Sequence, residues 1–241
     1  LEFLLSTVGF ADKFSVVDAS VRPSSHITAK ALLTLVLIIL TKLGHETKLK
    51  AFVPHILEKR GLRTVDVLEA IKGRRSVRVF KSERSVSQED VWELIEAARW
   101  APSAGNVQPW EFVIVRKPQM KRKLALAALG QSFIEEASVV VVVCADENRS
   151  SESYGQRGRT LYCIQDTAAA IQNINLAAHS LGLGTCWVGA FQEEEVKKAL
   201  ETPRGIRPVA LIPVGQPLVF PSPRTKRAVG DMVHYETFHS R

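Results

Sequence analysis

The stretch Ser138–Cys144 reads SVVVVVC, with five valines in unbroken succession. β-Branched side chains suit a pleated strand. A strand with no polar position in its alternation has no face to turn toward water. The run therefore predicts a strand buried on both faces, which needs other elements packed above and below it.

The surrounding sequence supplies candidates. Ser87 can cap a helix over Gln88–Arg99, with Asp90 placed for a capping-box arrangement. Val91, Leu94, Ile95 and Ala98 give that helix one apolar face, and Pro102 ends it. Trp110–Val115 reads as a strand, Gln119–Leu129 as a helix, and Thr160–Leu181 as a long helix stopped by Gly182. Ile164, Ala168, Ile171 and Ala178 mark the packed side of the long helix. Thr185–Ala190 reads as a short strand. Glu193–Leu200 reads as a helix whose charges match its dipole, and Val209–Val214 as a last strand bounded by prolines and Gly215. Few strands among irregularly spaced helices indicate an α+β fold and not a strict βαβ repeat.

Residues 1–64 carry no readable motif. Their apolar run, Ala31–Leu40, is ten residues long. It is short of the roughly 20 that span a bilayer, and it predicts a buried helix. Two readings of the segment stand: a helical extension, or a stretch outside the native protein, with Val65 as the true start. The net charge of +7 is spread over both parts, +4 in residues 1–64 and +3 in 65–241. Without a dense basic block interleaved with aromatics, the charge favours neither nucleic acid nor membrane as a partner. Cys144, Cys163 and Cys186 lack Cys-x-x-Cys spacing and a disulfide-like even number. They read as reduced, buried thiols of a cytoplasmic protein, and no metal set is apparent.

Four stretches could carry chemistry. Gly73–Phe80 places Arg74, Arg75 and Arg78 within five residues, with Ser76 among them. Crowded guanidinium groups repel unless solvent or an anion relieves them, so this is either a phosphate seat or a solvated basic turn. Ala101–Trp110 is a small, polar, turn-forming stretch. Its Asn106 and Gln108 amides could meet a heterocycle edge, or it is an ordinary loop. Gly182–Phe191 has glycines at 182, 184 and 189, the wrong spacing for a dinucleotide fingerprint. Gly189 and Ala190 suit close approach of backbone to a flat ligand. Pro221–Arg227 holds a second basic cluster, Arg224, Lys226 and Arg227, which is a solvated tail or the other half of a phosphate site. His179 reads as a packed or capping residue. Asp166 and Glu96 show no sign of an acid–base pair. No nucleophile elbow, Walker loop or zinc motif occurs. Side chains alone suggest no reaction, and an organic cofactor would supply one.

In order, these stretches together with Gln165–Asn173 (QDTAAAIQN) resemble the FMN-dependent nitroreductase family over about 65–235. The resemblance implies an α+β sandwich, a mostly antiparallel sheet wrapped by helices, forming an intertwined homodimer with FMN at its seam. Residues 65–241 would be the flavin domain. By position, Arg74 should reach the phosphate, Ser76 the ribityl or phosphate oxygens and Arg78 the pyrimidine edge, with Arg75 among them. Pro102, Ser103 and Ala104 should come from the partner subunit, with Asn106 nearby. Gln131, Trp187 and Val188 should lie at the ring, the Gly189 or Ala190 N–H at flavin N5, and Lys226 and Arg227 at the phosphate. NADH or NADPH would reduce the flavin, and a flat organic acceptor such as a nitroaromatic or quinone would reoxidise it in ping-pong fashion, with no catalytic side chain. Ene-reduction, dehalogenation, azoline oxidation or flavin fragmentation on the same fold, or a non-catalytic flavin sensor, are the alternatives.

Overall fold

The structure, a computed structural model, describes residues 65–81 and 85–238. The helix read at Ala31–Leu40 and both readings of residues 1–64 lie outside the described residues. In chain order the elements are α1 (Val67–Gly73), α2 (Gln88–Arg99), β1 (Trp110–Val115), α3 (Pro118–Ala127), α4 (Phe133–Glu136), β2 (Val139–Asp146), α5 (Glu147–Arg157), α6 (Cys163–Ser180), β3 (Gly184–Thr185), α7 (Glu193–Leu200) and β4 (Ile206–Gly215).

The strands form one antiparallel sheet in the order β1-β2-β4-β3. The valine run is β2, and Val139 to Ala145 have no exposed surface. Its alternation divides the core. Val140, Val142 and Cys144 pack on one face with Leu124 of α3, Ile134 of α4 and Val196 of α7. Val139, Val141 and Val143 pack on the other with Leu94 and Ala98 of α2 and Ala170, Ile171 and Ile174 of α6. The fold is thus an α+β sandwich with helices on both faces. Each fully buried valine is worth roughly 1.5–3 kcal/mol.

Local signals account for most boundaries. Ser87 Oγ accepts from Asp90 N while Asp90 returns the bond to Ser87 N, the reciprocal cap expected of α2. Helix α3 starts at Pro118 and closes at Ala127, because Leu129 and Gly130 then turn left-handed at φ 61° and 76°. The long helix begins at Cys163, after a wider turn over Gly158–Tyr162. The strand read over Thr185–Ala190 is regular only at Gly184–Thr185, with one further bridge from Val188 to Leu211. Pro213 is the cause. Its carbonyl accepts from Cys186 N at 3.4 Å, but it has no N–H to return. Leu211 and Val188 exchange both bonds at 3.0 Å, so the break is confined to the proline. Pro208 sits where the β2–β4 register shifts after Val143, the position in a sheet where proline is tolerated.

Helix α1 was not readable from the sequence. Only Ala70 of it is buried, so it carries no amphipathic period. Its ends hold it instead: Asp66 accepts from Leu68 N at 2.9 Å, and Arg75 folds over its C-terminus.

The segment after α1 is seated by two glycines. Val77, with no exposed surface, lies against Gly184, where a Cβ would come within 2.9 Å of three Val77 carbons. Phe80 lies against Gly215 in the same way, at 2.7 Å. Gly184→Ala should therefore destabilise the protein by about 1–3 kcal/mol. In denaturant titrations, Val77→Ala in the Gly184→Ala background should cost much less than it does alone, since both changes act on one contact. Strictly additive losses would show that Val77 and Gly184 do not share that space.

Candidate active site

Residues 74–81 run extended across the end of the sheet. Val77 N donates to Thr185 O at 2.8 Å, Lys81 N to Gln216 O at 2.9 Å and Leu218 N to Val79 O at 3.0 Å. Val77 and Phe80 of this segment are buried in one core, while Val79 is exposed. Arg74, Ser76 and Arg78 all act on the buried Cys186. Burial raises that thiol's pKa, while Arg78, a hydrogen bond with Ser76 and Arg74 each draw it down.

The three arginines differ in what they touch. Arg75 turns back to α1, its Nη1 donating to the carbonyls of Lys72 (2.6 Å), Gly73 (3.1 Å) and Arg74 (2.9 Å). It neutralises the negative end of that helix. Arg74 has no hydrogen-bond or ion-pair partner among the described residues, and Arg78 has only the Phe133 ring, 5.8 Å from its guanidinium carbon. His179 packs at the same corner, edge-on to Phe220 at 5.6 Å and close against Gly73. Burial, then Arg74 and Arg75, hold its pKa below the ordinary histidine range. It is a packed residue, as read.

A second group closes this face. The left-handed turn after α3 delivers Gln131, whose Nε2 donates to Ala128 O at 2.9 Å and Ala190 O at 3.1 Å. Gln131 is thereby tied to Ala190, 59 positions away. Gly189 and Ala190 are exposed, a Cβ on Gly189 would meet nothing within 4 Å, and neither N–H has a partner among the described residues. Val188 is buried and bridged to Leu211, while Trp187 is 42% exposed beside it.

The loop after α2 has its own set of bonds. No hydrogen bond, ion pair or ring contact among the described residues joins Pro102–Gln108 to the Arg74–Arg78 face. Ser103 Oγ accepts from Gln108 N at 3.0 Å, and Ala104 N donates to Asp166 Oδ1 at 3.1 Å. Gly105, Asn106 and Gln108 take φ of 54°, 58° and 54°. The Asn106 and Gln108 amides bond to one another at 3.2 Å. Lys226 and Arg227 sit in an exposed C-terminal arm, where Arg227 Nη2 donates to Asp231 O at 2.7 Å. Among the described residues no hydrogen bond or ion pair joins them to Arg74. The roles of Asp66, Arg75 and Asp166 escaped the sequence reading. Asp66 directly before Val67 was a legible cap signal; nothing local marked Asp166.

All three cysteines are buried and unpaired, and burial pushes Cys144 up to about 12. No helix among the described residues is long and apolar enough to cross a membrane.

A model of the nitroreductase family matches residues 71–133 and 126–216, most of the chain between α1 and the end of β4. The chain belongs to the nitroreductase family. It is an oxidoreductase of that family. An Archaeoglobus fulgidus protein named NADH dehydrogenase/NAD(P)H nitroreductase is 42% identical over 141 residues, 58% of this chain and 77% of its own. A Bacillus subtilis FMN reductase (NADPH) is 27% identical over 187 residues, 72% of this chain and 75% of its own. A crystal structure from Parabacteroides distasonis, titled an NADH dehydrogenase/NAD(P)H nitroreductase, superposes with a TM-score of 0.64 at 34% identity, covering 71% of this chain and 98% of that one.

The different contacts of the two neighbouring arginines set a test. Arg75→Ala removes the cap of α1 and should lower stability by about 1–2 kcal/mol. Arg74→Ala should stay within about 0.5 kcal/mol. Equal losses in urea titration would mean that Arg75 does not secure α1.

Proposed function

We propose that this nitroreductase binds FMN on the Arg74–Ser76–Arg78 face and passes two electrons from NADH or NADPH to a flat organic acceptor. The observation that carries the reading is a pair of arginines, Arg74 and Arg78, that have no acidic partner among the described residues and flank the Ser76 hydroxyl in sequence. That donor set fits FMN. A guanidinium fork suits the phosphate and a fixed cation suits the pyrimidine edge, where reduction gathers negative charge. The unpaired N–H of Gly189 or Ala190 suits flavin N5. Gln131 would steady that backbone through Ala190, with Trp187 and Val188 alongside. The name of the Bacillus subtilis relative, FMN reductase (NADPH), agrees with this cofactor and donor.

FMN, when bound, supplies the redox chemistry, taking a hydride from the nicotinamide and returning two electrons to the acceptor in turn. The protein's part is to hold the ring, exclude water from one side and bias the charge of the reduced form. The loop Pro102–Ala104, with Asn106, would complete the seat from the partner of a homodimer. Support comes from the absence, among the described residues, of any bond between that loop and Arg74. The C-terminal arm gives further support: Leu218, Val219, Val229 and Tyr235 are each 59–72% exposed. Lys226 and Arg227 would reach the phosphate by the same assembly.

The purified protein should be a yellow dimer that releases FMN, not FAD, and should bleach anaerobically with NADH or NADPH. A colour that no nicotinamide bleaches would favour a flavin-binding protein without turnover. Arg74→Ala should raise the FMN dissociation constant about ten- to a hundredfold, with turnover recovered at saturating FMN. Arg78→Ala should instead lower the midpoint potential, by about 30 mV for each 1.4 kcal/mol of lost preference for the reduced form. An unchanged potential with looser FMN would move Arg78 to the phosphate end.

A further inference from the structure

Helix α6 carries Gln165–Asn173, a stretch to which the function so far assigns no role. Two of its polar residues, Asp166 and Asn173, are seven positions apart, two helical turns, and so share one face. Both reach the end of α2. Asn173 Nδ2 donates to Ala97 O at 2.9 Å in the last turn of that helix. Asp166 Oδ1 accepts from Ala104 N at 3.1 Å in the loop beyond it. One helix thus pins both sides of the α2–loop junction.

The two attachments are not equally needed. Leu94 and Ala98 pack with Ile171 and Ile174 in one core, so α2 would stay against α6 without Asn173. Among the described residues Ala104 N has no partner other than Asp166. The loop has bonds of its own, from Gln108 N to Ser103 Oγ and from Asn106 N to Ser103 O, but it also carries strain. Asn106 and Gln108 sit at φ 58° and 54°, left-handed backbone that asparagine adopts at modest cost and glutamine rarely. Gly105 has no room for a side chain, because a Cβ there would run into the Tyr154 hydroxyl. Asp166 is 7% exposed, and its Oδ2 is buried without a partner. A carboxylate in that setting is costly, and core packing alone would favour an apolar residue.

We propose that Asp166 is a positioning residue for the flavin seat: its one hydrogen bond to Ala104 N fixes the conformation in which Ser103 and Ala104 meet the cofactor. The inference rests on the reading of Pro102–Ala104 as a flavin-contacting loop. Asp166 touches neither flavin nor substrate and acts only through the loop.

The experiment uses the full chain with Asp166→Leu and Asp166→Asn. Leucine keeps the branched shape and removes the buried charge, so a folded protein with a melting temperature at or above the parent's is expected. Asparagine keeps an acceptor at Oδ1. Amide hydrogen exchange at Ala104 and the FMN dissociation constant are measured for each. Asp166→Leu should speed exchange at Ala104 and weaken FMN binding at least tenfold, the loss of one bond to a charged acceptor. Asp166→Asn should remain within about fivefold of the parent on both, since a neutral acceptor is weaker by about 1 kcal/mol. Unchanged exchange at Ala104 in Asp166→Leu overturns the proposal. So does an Asp166→Asn protein as impaired as Asp166→Leu, because the acceptor would then not be what matters. Faster exchange with undiminished FMN affinity overturns the flavin reading of the loop instead, and the exchange rate separates that failure from the first.

Discussion

Val139 to Val143 have no contact with solvent on either side, and the seating of the Arg74–Lys81 segment depends on that burial. An antiparallel sheet usually keeps one wet face. Here β2 is flanked by β1 and β4 and covered by α3, α4 and α7 above and by α2 and α6 below. Alternation sends neighbouring valines into opposite layers, so a slip of one residue would exchange the two cores. Fixing β2 fixes β4 by register, and β4 in turn positions Val188 and Gly215. The extended segment from Arg74 to Lys81 is then seated by Val77 on Gly184 and Phe80 on Gly215. The basic face is thus an outcome of core packing two strands away.

What was legible in the sequence was what local physics decides alone. The capping box at Ser87, the apolar face of α2 and the valine strand each depend on a few adjacent residues, and each occurs where the pattern places it. The errors arise where a distant residue decides. The strand over Thr185–Ala190 is interrupted because Pro213, on another strand, cannot return a hydrogen bond to Cys186. Helix α1 is a different case: its caps, Asp66 and Arg75, are local, but it buries only Ala70, so no periodicity accompanies the cap signal.

The site shows the same division. The stretches that matter could be picked out because arginines, amides and glycines at turns are unusual in a core. Their grouping could not be. Gln131 comes to Ala190 through a turn of two left-handed residues, and Ala104 comes to Asp166 across 62 positions. Asp166 illustrates the limit well. In sequence it is one acid on an Ala-rich helix. In the fold, burial raises its pKa against the pull of the Ala104 N–H, and it holds the loop that its helix could not otherwise reach.

The crowding of Arg74, Arg75 and Arg78 raises an electrostatic problem that the structure resolves unevenly. Three guanidinium groups in five residues need counter-charge, and there is no carboxylate partner for them among the described residues. One of the three is absorbed within the chain, because the C-terminal carbonyls of α1 carry partial negative charge and Arg75 lies over them. That solution is open only to the residue next to the helix end. Arg78 shares the face of an aromatic ring, a weaker contact that leaves its donors free. Arg74 has neither. Burial, and then repulsion from Arg74 and Arg75, lower the pKa of His179 at the same corner. The positive charge that remains is that of Arg74 and Arg78, for which no carboxylate among the described residues supplies a counter-charge. A bound phosphate would relieve it, and so the charge left unmet by the fold is the strongest physical argument for an anionic cofactor on this face.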